Sequence, residues 1–418
     1  MYGLTKAPLV LALLVALVGV LAGGCDRIAR YYGYDAGARP EDAAKDATGD
    51  LDAPSEMRVG DLPIDGPPGD TMPPDCSGAT RSFGTALVGA RFFAATYELL
   101  SRRIWVAGDV VQNGRRVPVV AAFDECGVLV PSSVRMIPRM DWRATDIIAS
   151  YRGLPTGLIC VSGDNGSTQS FIACLDRDPT GLPKAVRWQN DAVTPPPPLA
   201  IADISAYVVM LGSRGGAPVH RAFALDGSAM GNELTITETG DVAGFASRAT
   251  AASYGLARLS GGALMPALGI VTFQSSCDWM SCSAQPKIYT ATLSKLAAFT
   301  LTPTRGIWLS SSGGLNQGVS IALATDTPNS ATLSAGTIRA ATAVKNVVLA
   351  VGDDGNGEVN IWRVNADMTS PSSATLGVGG TAHDIIVISN DRVAFVGETN
   401  AGDGALGICV YDKCVPSP

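Results

Sequence analysis

Histidine is nearly missing from this chain, with 2 residues in 418. Charged residues make up 17% and aromatic residues 6%. Each shortage removes a class of function. With His220 and His383 alone, and no paired Cys-x-x-Cys, a zinc centre lacks its ligands. No basic patch offers an electrostatic footprint for nucleic acid. There is no Gly-x-Ser-x-Gly elbow, no His-Glu-x-x-His and no phosphate-binding loop, so the sequence implies no catalytic residue, metal or cofactor. His220 and His383 each open a β-type run and read as structural or surface residues. Beyond the N-terminus no apolar run is long enough to cross a bilayer.

Glycine and short apolar runs are plentiful: 47 glycines, and 46% hydrophobic residues. The stretch Asn346 to Asp367 shows how they are used. The run Val347 to Val351 meets a Gly/Asp/Asn turn, and a second run, Val359 to Val364, follows. β-Branched runs broken by residues that tolerate positive φ spell a hairpin. Copies start at Arg103-Ile104-Trp105, Gly157-Leu158-Ile159, Tyr207-Val208-Val209 and Arg392-Val393-Ala394. A further copy is read at Leu268 to Phe273 with Ile288 to Leu293, and a blurred one within Gly306 to Arg339. Several copies carry an upstream strand, such as Thr145-Asp146-Ile147-Ile148 and His383-Asp384-Ile385-Ile386. Hairpin centres recur at about 45 to 55 residues, the period of an all-β propeller built from small antiparallel sheets. Seven copies predict seven blades, or six if Gly306 to Arg339 belongs to its neighbours; a β-sandwich pair and a β-helix are the other architectures. An N-terminal strand around Thr85 to Ala90 is expected to close the ring. Thr194 and Pro195 to Pro198 read as a stiff connector between blades.

Through pieces such as Val106-Ala107-Gly108-Asp109, Phe223-Ala224-Leu225-Asp226-Gly227 and Val393-Ala394-Phe395-Val396-Gly397, the repeats resemble the short bacterial propeller repeats and, more distantly, kelch-like blades.

The N-terminus reads as a targeting segment. Lys6 precedes an apolar stretch, Pro8 to Val20, which ends in Leu21-Ala22-Gly23-Gly24-Cys25. This ending resembles the lipobox of bacterial lipoproteins. The resemblance implies cleavage before Cys25, acylation of Cys25, and attachment to a membrane of the bacterial envelope, the outer membrane being favoured, on its periplasmic or surface face. The alternative is an ordinary secretory signal with Cys25 in a disulfide. Several acyl chains would hold the protein stably.

Three segments follow: a signal peptide over 1–24, a lipidated cysteine and linker over 25–75, and the propeller over 76–418. Residues 26–75 hold 12 acids and 5 bases, a balance equal to the −7 of the whole chain. With Lys6 counted in the signal, the residues from Cys76 onward stand near −1. Acidic, proline-rich and poor in periodicity, the linker is expected to be disordered and extended.

Eight cysteines remain after Cys25, in a compartment where disulfides persist. Cys160 and Cys174 flank one hairpin turn symmetrically, and Cys277 and Cys282 bracket a short loop. Cys76, Cys126, Cys409 and Cys414 allow three connectivities, with a staple near the ring closure preferred. The recurring Asp124, Asp176, Asp226 and Asp412 read as turn caps. Asp353 to Glu358 could ligate Ca²⁺ or form a plain hairpin turn. Trp105, Trp188, Trp308 and Trp362 are expected to pack between blades. Trp142 and Trp279, in loops, are the candidates for stacking on a ligand sugar. The function expected is a lipid-anchored, non-catalytic binding or scaffold module for an envelope protein or polysaccharide. The alternative is a carboxylate-dependent glycan-active enzyme.

Overall fold

The apolar runs are continuous where a strand is covered on both faces and alternate where only one face is covered. Leu158–Asp164 is buried at every residue, whereas Pro328–Leu333 alternates between exposed and covered positions until its last residue. The computed structural model describes residues 80–150, 157–166, 169–193, 198–204, 207–214, 217–235, 241–248, 251–260, 263–272, 287–311, 314–389 and 391–415. All fall within one compact unit, Met72–Pro418. The signal and linker expectations, with Cys25, Cys76, Cys277, Cys282 and Trp279, lie outside the described residues, as do Thr194 to Pro197 of the connector.

Among the described residues the chain forms 27 strands and no helix. β1 (Arg81–Leu87) stands apart in sequence. Set 1 is β2 (Ala90–Glu98), β3 (Arg103–Gln112), β4 (Arg115–Asp124) and β5 (Arg135–Met136). Set 2 is β6 (Arg143–Ser150), β7 (Leu158–Asp164), β8 (Ser170–Arg177) and β9 (Pro183–Val193). Set 3 is β10 (Pro198–Ile204), β11 (Tyr207–Arg214), β12 (Ala217–Ala224) and β13 (Ala229–Thr235). Set 4 is β14 (Asp241–Arg248), β15 (Ala251–Ser260), β16 (Ala263–Thr272) and β17 (Lys287–Ile288). Set 5 is β18 (Leu296–Leu301), β19 (Arg305–Ser310), β20 (Asn316–Ala322) and β21 (Pro328–Leu333). β22 (Thr337–Val344), β23 (Val347–Asp353), β24 (Glu358–Asn365), β25 (Ser372–Ser389), β26 (Arg392–Thr399) and β27 (Gly404–Val410) complete the chain.

Sets 1 to 5 are separate antiparallel sheets, each in sequential order. The rest is one seven-stranded sheet, β22-β23-β24-β25-β26-β27-β1 in space. Its long β25 is the last strand of set 6 and, from Gly380 onward, the first strand of set 7. The first strands of successive sets touch in cyclic order, and β25 returns to β2. The sheets therefore form a closed ring with the first strands innermost, which is the β-propeller architecture. β1 closes it as the outer strand of set 7, pairing Arg81 with Ile408 and Leu87 with Gly404. The closing strand starts earlier than the sequence suggests, and Ala90 already belongs to β2.

Two copies differ from the sequence expectation. In set 4 the central hairpin is β15–β16, so the strand at Leu268 is third in its sheet, not second. The blurred stretch holds most of set 5 and only the start of β22. The four interior tryptophans do pack between sets. Trp105 lies in a cluster with Ile147 and Phe171, Trp308 with Leu268 and Tyr289, and Trp362 with Ile307 and Leu309. Trp188 packs against the cluster holding Ile201 and Phe223. Trp308 Nε1 donates to the Ala267 carbonyl at 3.2 Å, and Trp188 Nε1 to the Leu225 carbonyl at 2.9 Å.

A β-bulge interrupts every innermost strand at the same place, between Phe92 and Ala94 in β2 and between Ala382 and Asp384 in β25. The same shift occurs in β6, β10, β14, β18 and β22. It explains the glycine that ends many second strands. A methyl group on Gly108 would lie 1.7 Å from the Arg91 carbonyl oxygen, and one on Gly352 would lie 1.8 Å from that of Thr337. Only glycine lets the bulged strand come this close. Gly352→Ala is expected to cost at least about 2 kcal/mol, since backbone has to move to relieve the overlap. Urea unfolding midpoints of the two chains measure it.

Candidate functional site

The bulges define one end of the ring, where the innermost strands begin. Here Phe93, Thr145 and His383 are the bulged residues of sets 1, 2 and 7. The Phe93 ring centroid lies 5.2 Å from that of His383. The guanidinium carbons of Arg91 and Arg143 lie over the Phe93 ring, at 5.2 and 5.7 Å. Three sets thus meet at one partly exposed phenylalanine.

Carboxylates from the second strands fix these cations. Arg91 donates from Nε and Nη2 to Asp109, at 3.0 and 2.6 Å. Arg116 donates from Nη1 to the same carboxylate. Arg143 Nε donates to Asp164 at 3.0 Å, and a longer contact of 3.5 Å joins its Nη2 to the other oxygen. Asp109 and Asp164 are nearly inaccessible, at 0% and 4% side-chain exposure, while Arg143 and Arg116 keep 42% and 41%. Glu398 approaches His383 Nε2 at 3.4 Å and Arg91 Nε at 3.8 Å. The hydrogen bond to His383 is the main cause holding the Glu398 carboxyl below its usual range. Each acid follows the glycine opposite a bulge; Arg91, Arg143 and His383 stand at or near the start of an inner strand, and Arg116 at the start of β4. The repeat itself therefore builds the pairing.

Beneath the bulges stand Asp146 and Asp384, the residues that follow the bulged ones in sets 2 and 7. Sets 1, 3, 4, 5 and 6 have Ala94, Ala200, Gly244, Ala298 and Ala340 there. Asp384 Oδ2 accepts from the Ala95 amide of set 1 at 2.8 Å, and its Oδ1 from Ile385 at 2.8 Å. Asp146 Oδ2 accepts from the Ile201 amide of set 3 at 2.6 Å, and its Oδ1 from Ile147 at 2.8 Å. Both carboxylates bridge adjacent sets, and no ion pair is made by either among the described residues. Burial pushes each pKa up to about 7, and the Asp384 charge adds to the rise at Asp146. Neither is a candidate from the sequence, although an Asp recurs at the same place in two β-branched strands.

Other sequence candidates fall elsewhere. Trp142 is half-buried at the bulge end and edge-on to Phe171, with the Arg139 guanidinium 4.3 Å from its ring centre. His220 is fully buried in β12, and burial lowers its pKa to about 3, so the ring is neutral. In the Asp353–Glu358 turn, Asp354 accepts from the amides of Asn356 and Glu358, at 2.8 and 3.1 Å, as a hairpin cap does. Asp124 and Asp226 cap their turns. Asp176 does not: it pairs with Arg187 at 3.0 Å, and Asp178 caps the turn. For Asp412 no cap is seen among the described residues. Cys160 and Cys174 face each other across β7–β8 and are bonded. Cys409 is bonded to Cys414, a local loop and not a staple between sets. That bond removes two of the three connectivities in its group. Cys126 is also disulfide-bonded, so peptide mapping without reductant is expected to yield Cys76 linked to Cys126.

No protein-family model and no curated protein matches the chain. Solved structures do. Two crystal structures of Sqt1 from Chaetomium thermophilum match at TM-scores of 0.50 and 0.51, with 11% and 10% identity. Each match covers 80% of this chain, and 99% and 98% of theirs. The propeller of Dos1 matches at a TM-score of 0.48 and 9% identity, over 79% of this chain and 94% of that one. At these identities the likeness is one of fold.

Proposed function

We propose that this protein is a lipid-anchored, seven-bladed propeller of the bacterial envelope that binds a partner at its bulge end and performs no catalysis. The observation that carries the reading is the cluster around Phe93, where side chains from three sets converge on one exposed rim. Cys25 would hold the lipid and residues 25–75 the tether, with the propeller following from residue 76. The described chain begins at the end opposite the bulges, where Arg81 Nη1 donates to the Gly127 carbonyl.

The Asp146–Asp384 pair favours a second reading, a glycan-active enzyme. In such enzymes one carboxyl gives a proton to the leaving oxygen and the other attacks or activates water. Here every carboxylate oxygen already accepts a backbone amide, so the pair reads first as a structural bridge between adjacent sets. Cross-linking the acylated protein in its native envelope tests both readings. A stoichiometric protein partner supports the binding module. A polysaccharide without protein, together with release of reducing ends from envelope glycans, supports the enzyme.

A further inference from the structure

We propose that the arginine-rich sector of the bulge end, on sets 1 and 2, receives carboxylate groups from an acidic segment of a protein partner. The inference rests on the binding reading above. Its starting point is what the aromatic rings there have left to offer. Arg91 and Arg143 lie over Phe93, and Arg139 lies over Trp142 and, at 5.4 Å, over Phe171. Sugar recognition by stacking needs open ring faces. These rings instead carry guanidinium groups, so the sector presents cation edges outward.

Those edges are organised for oxyanions. Arg91 and Arg143 each spend Nε and Nη2 on a carboxylate of their own hairpin. This fixes the plane of each fork and leaves Nη1 with no protein acceptor among the described residues. Asp109, shared by Arg91 and Arg116, is fully buried, whereas Arg116 keeps 41% of its side chain exposed, and Glu398 approaches Arg91 Nε at 3.8 Å. A planar guanidinium held in place and partly exposed binds a carboxylate at little ordering cost. Arg143 and Arg116 are the exposed members and therefore the ones an incoming anion meets.

The test uses the full chain and a labelled, N-acetylated hexaglutamate peptide, read by fluorescence anisotropy. Binding is expected, weakening steeply as salt rises. Arg143→Gln and Arg116→Gln are each expected to weaken it at least tenfold, with unfolding midpoints checked alongside. Arg143→Lys is expected not to restore it, because an ammonium lacks the fork. Should Arg143→Gln unfold the protein, Arg116→Gln, on the other exposed guanidinium, still decides. Undetectable binding to hexaglutamate, or equal affinity in both glutamine variants, overturns the proposal. So does preferential binding of polygalacturonate, which carries the same carboxylates on a glycan. In the envelope, equal cross-linking of one partner by wild type and variants would sink this site and leave the binding module standing. Absence of any partner with the wild type would remove the reading beneath it.

Discussion

Arg177→Met will destabilise the propeller by about 3–5 kcal/mol, the usual cost of leaving one buried charge without its partner. Arg177 ends β8 in set 2, and Glu98 ends β2 in set 1. Their side chains are 0% and 3% exposed. The guanidinium meets both carboxylate oxygens, with Nη2 to Oε2 at 2.7 Å, and its Nε donates to the Gly181 carbonyl at 2.9 Å. Trp105 Nε1 and the Ser101 hydroxyl donate to the same carboxylate, the former at 2.9 Å. Methionine would fill the volume but take the guanidinium away from the buried Glu98 carboxylate. Replacing both, with Glu98→Leu and Arg177→Met together, should cost less than either single change, because no charge is left stranded. Urea midpoints of the three variants at pH 7 measure this. Equal midpoints for Arg177→Met and wild type would mean that the pair does not join the two sets.

Stability is expected to fall as pH rises from about 4 to about 7, through Asp146 and Asp384. Their ordinary value is 3.8, and in the folded chain each lies at about 7. The folded state thus holds protons that the unfolded chain has released in this window. Their contribution is complete below about pH 4 and lost above about pH 7. A shift of this size corresponds to on the order of 4 kcal/mol per group at most. Carboxylates with lowered values, among them Asp178, Asp226, Asp354 and Asp367, act in the opposite sense at lower pH. The comparison is therefore between the wild type and Asp146→Asn/Asp384→Asn. An amide offers one acceptor oxygen where each carboxylate offers two, so one backbone donor loses its partner at each site. The variant should be less stable than wild type at pH 5 and should close that gap by pH 8. Parallel stability curves would show that neither aspartate titrates in this range.

The hairpin frame was legible wherever a second strand combined a β-branched run with a terminal glycine, as in Val347 to Gly352. Set 4 hid because its second strand, Ala251–Ser260, contains no β-branched residue and sets Leu256 opposite the bulge. Set 5 hid for a related reason: its second strand has six residues and Ser310 in the glycine position. The bulges themselves leave no mark on the inner strands, whose register comes from pairing. Half of each ion pair was legible, since Gly-Asp recurs at Gly108-Asp109, Gly163-Asp164 and Gly352-Asp353. The meeting of Phe93 with His383 was not, because only ring closure brings set 7 against set 1.

The central claim is that the bulge end binds the partner. A photo-cross-linking amino acid at Met140, exposed at that end, and another at Leu100, exposed at the opposite end, test it directly in the acylated protein within its native envelope. The account predicts a protein adduct from position 140 and none from position 100. An adduct from position 100 alone would place the partner on the end where the described chain begins and contradict the account.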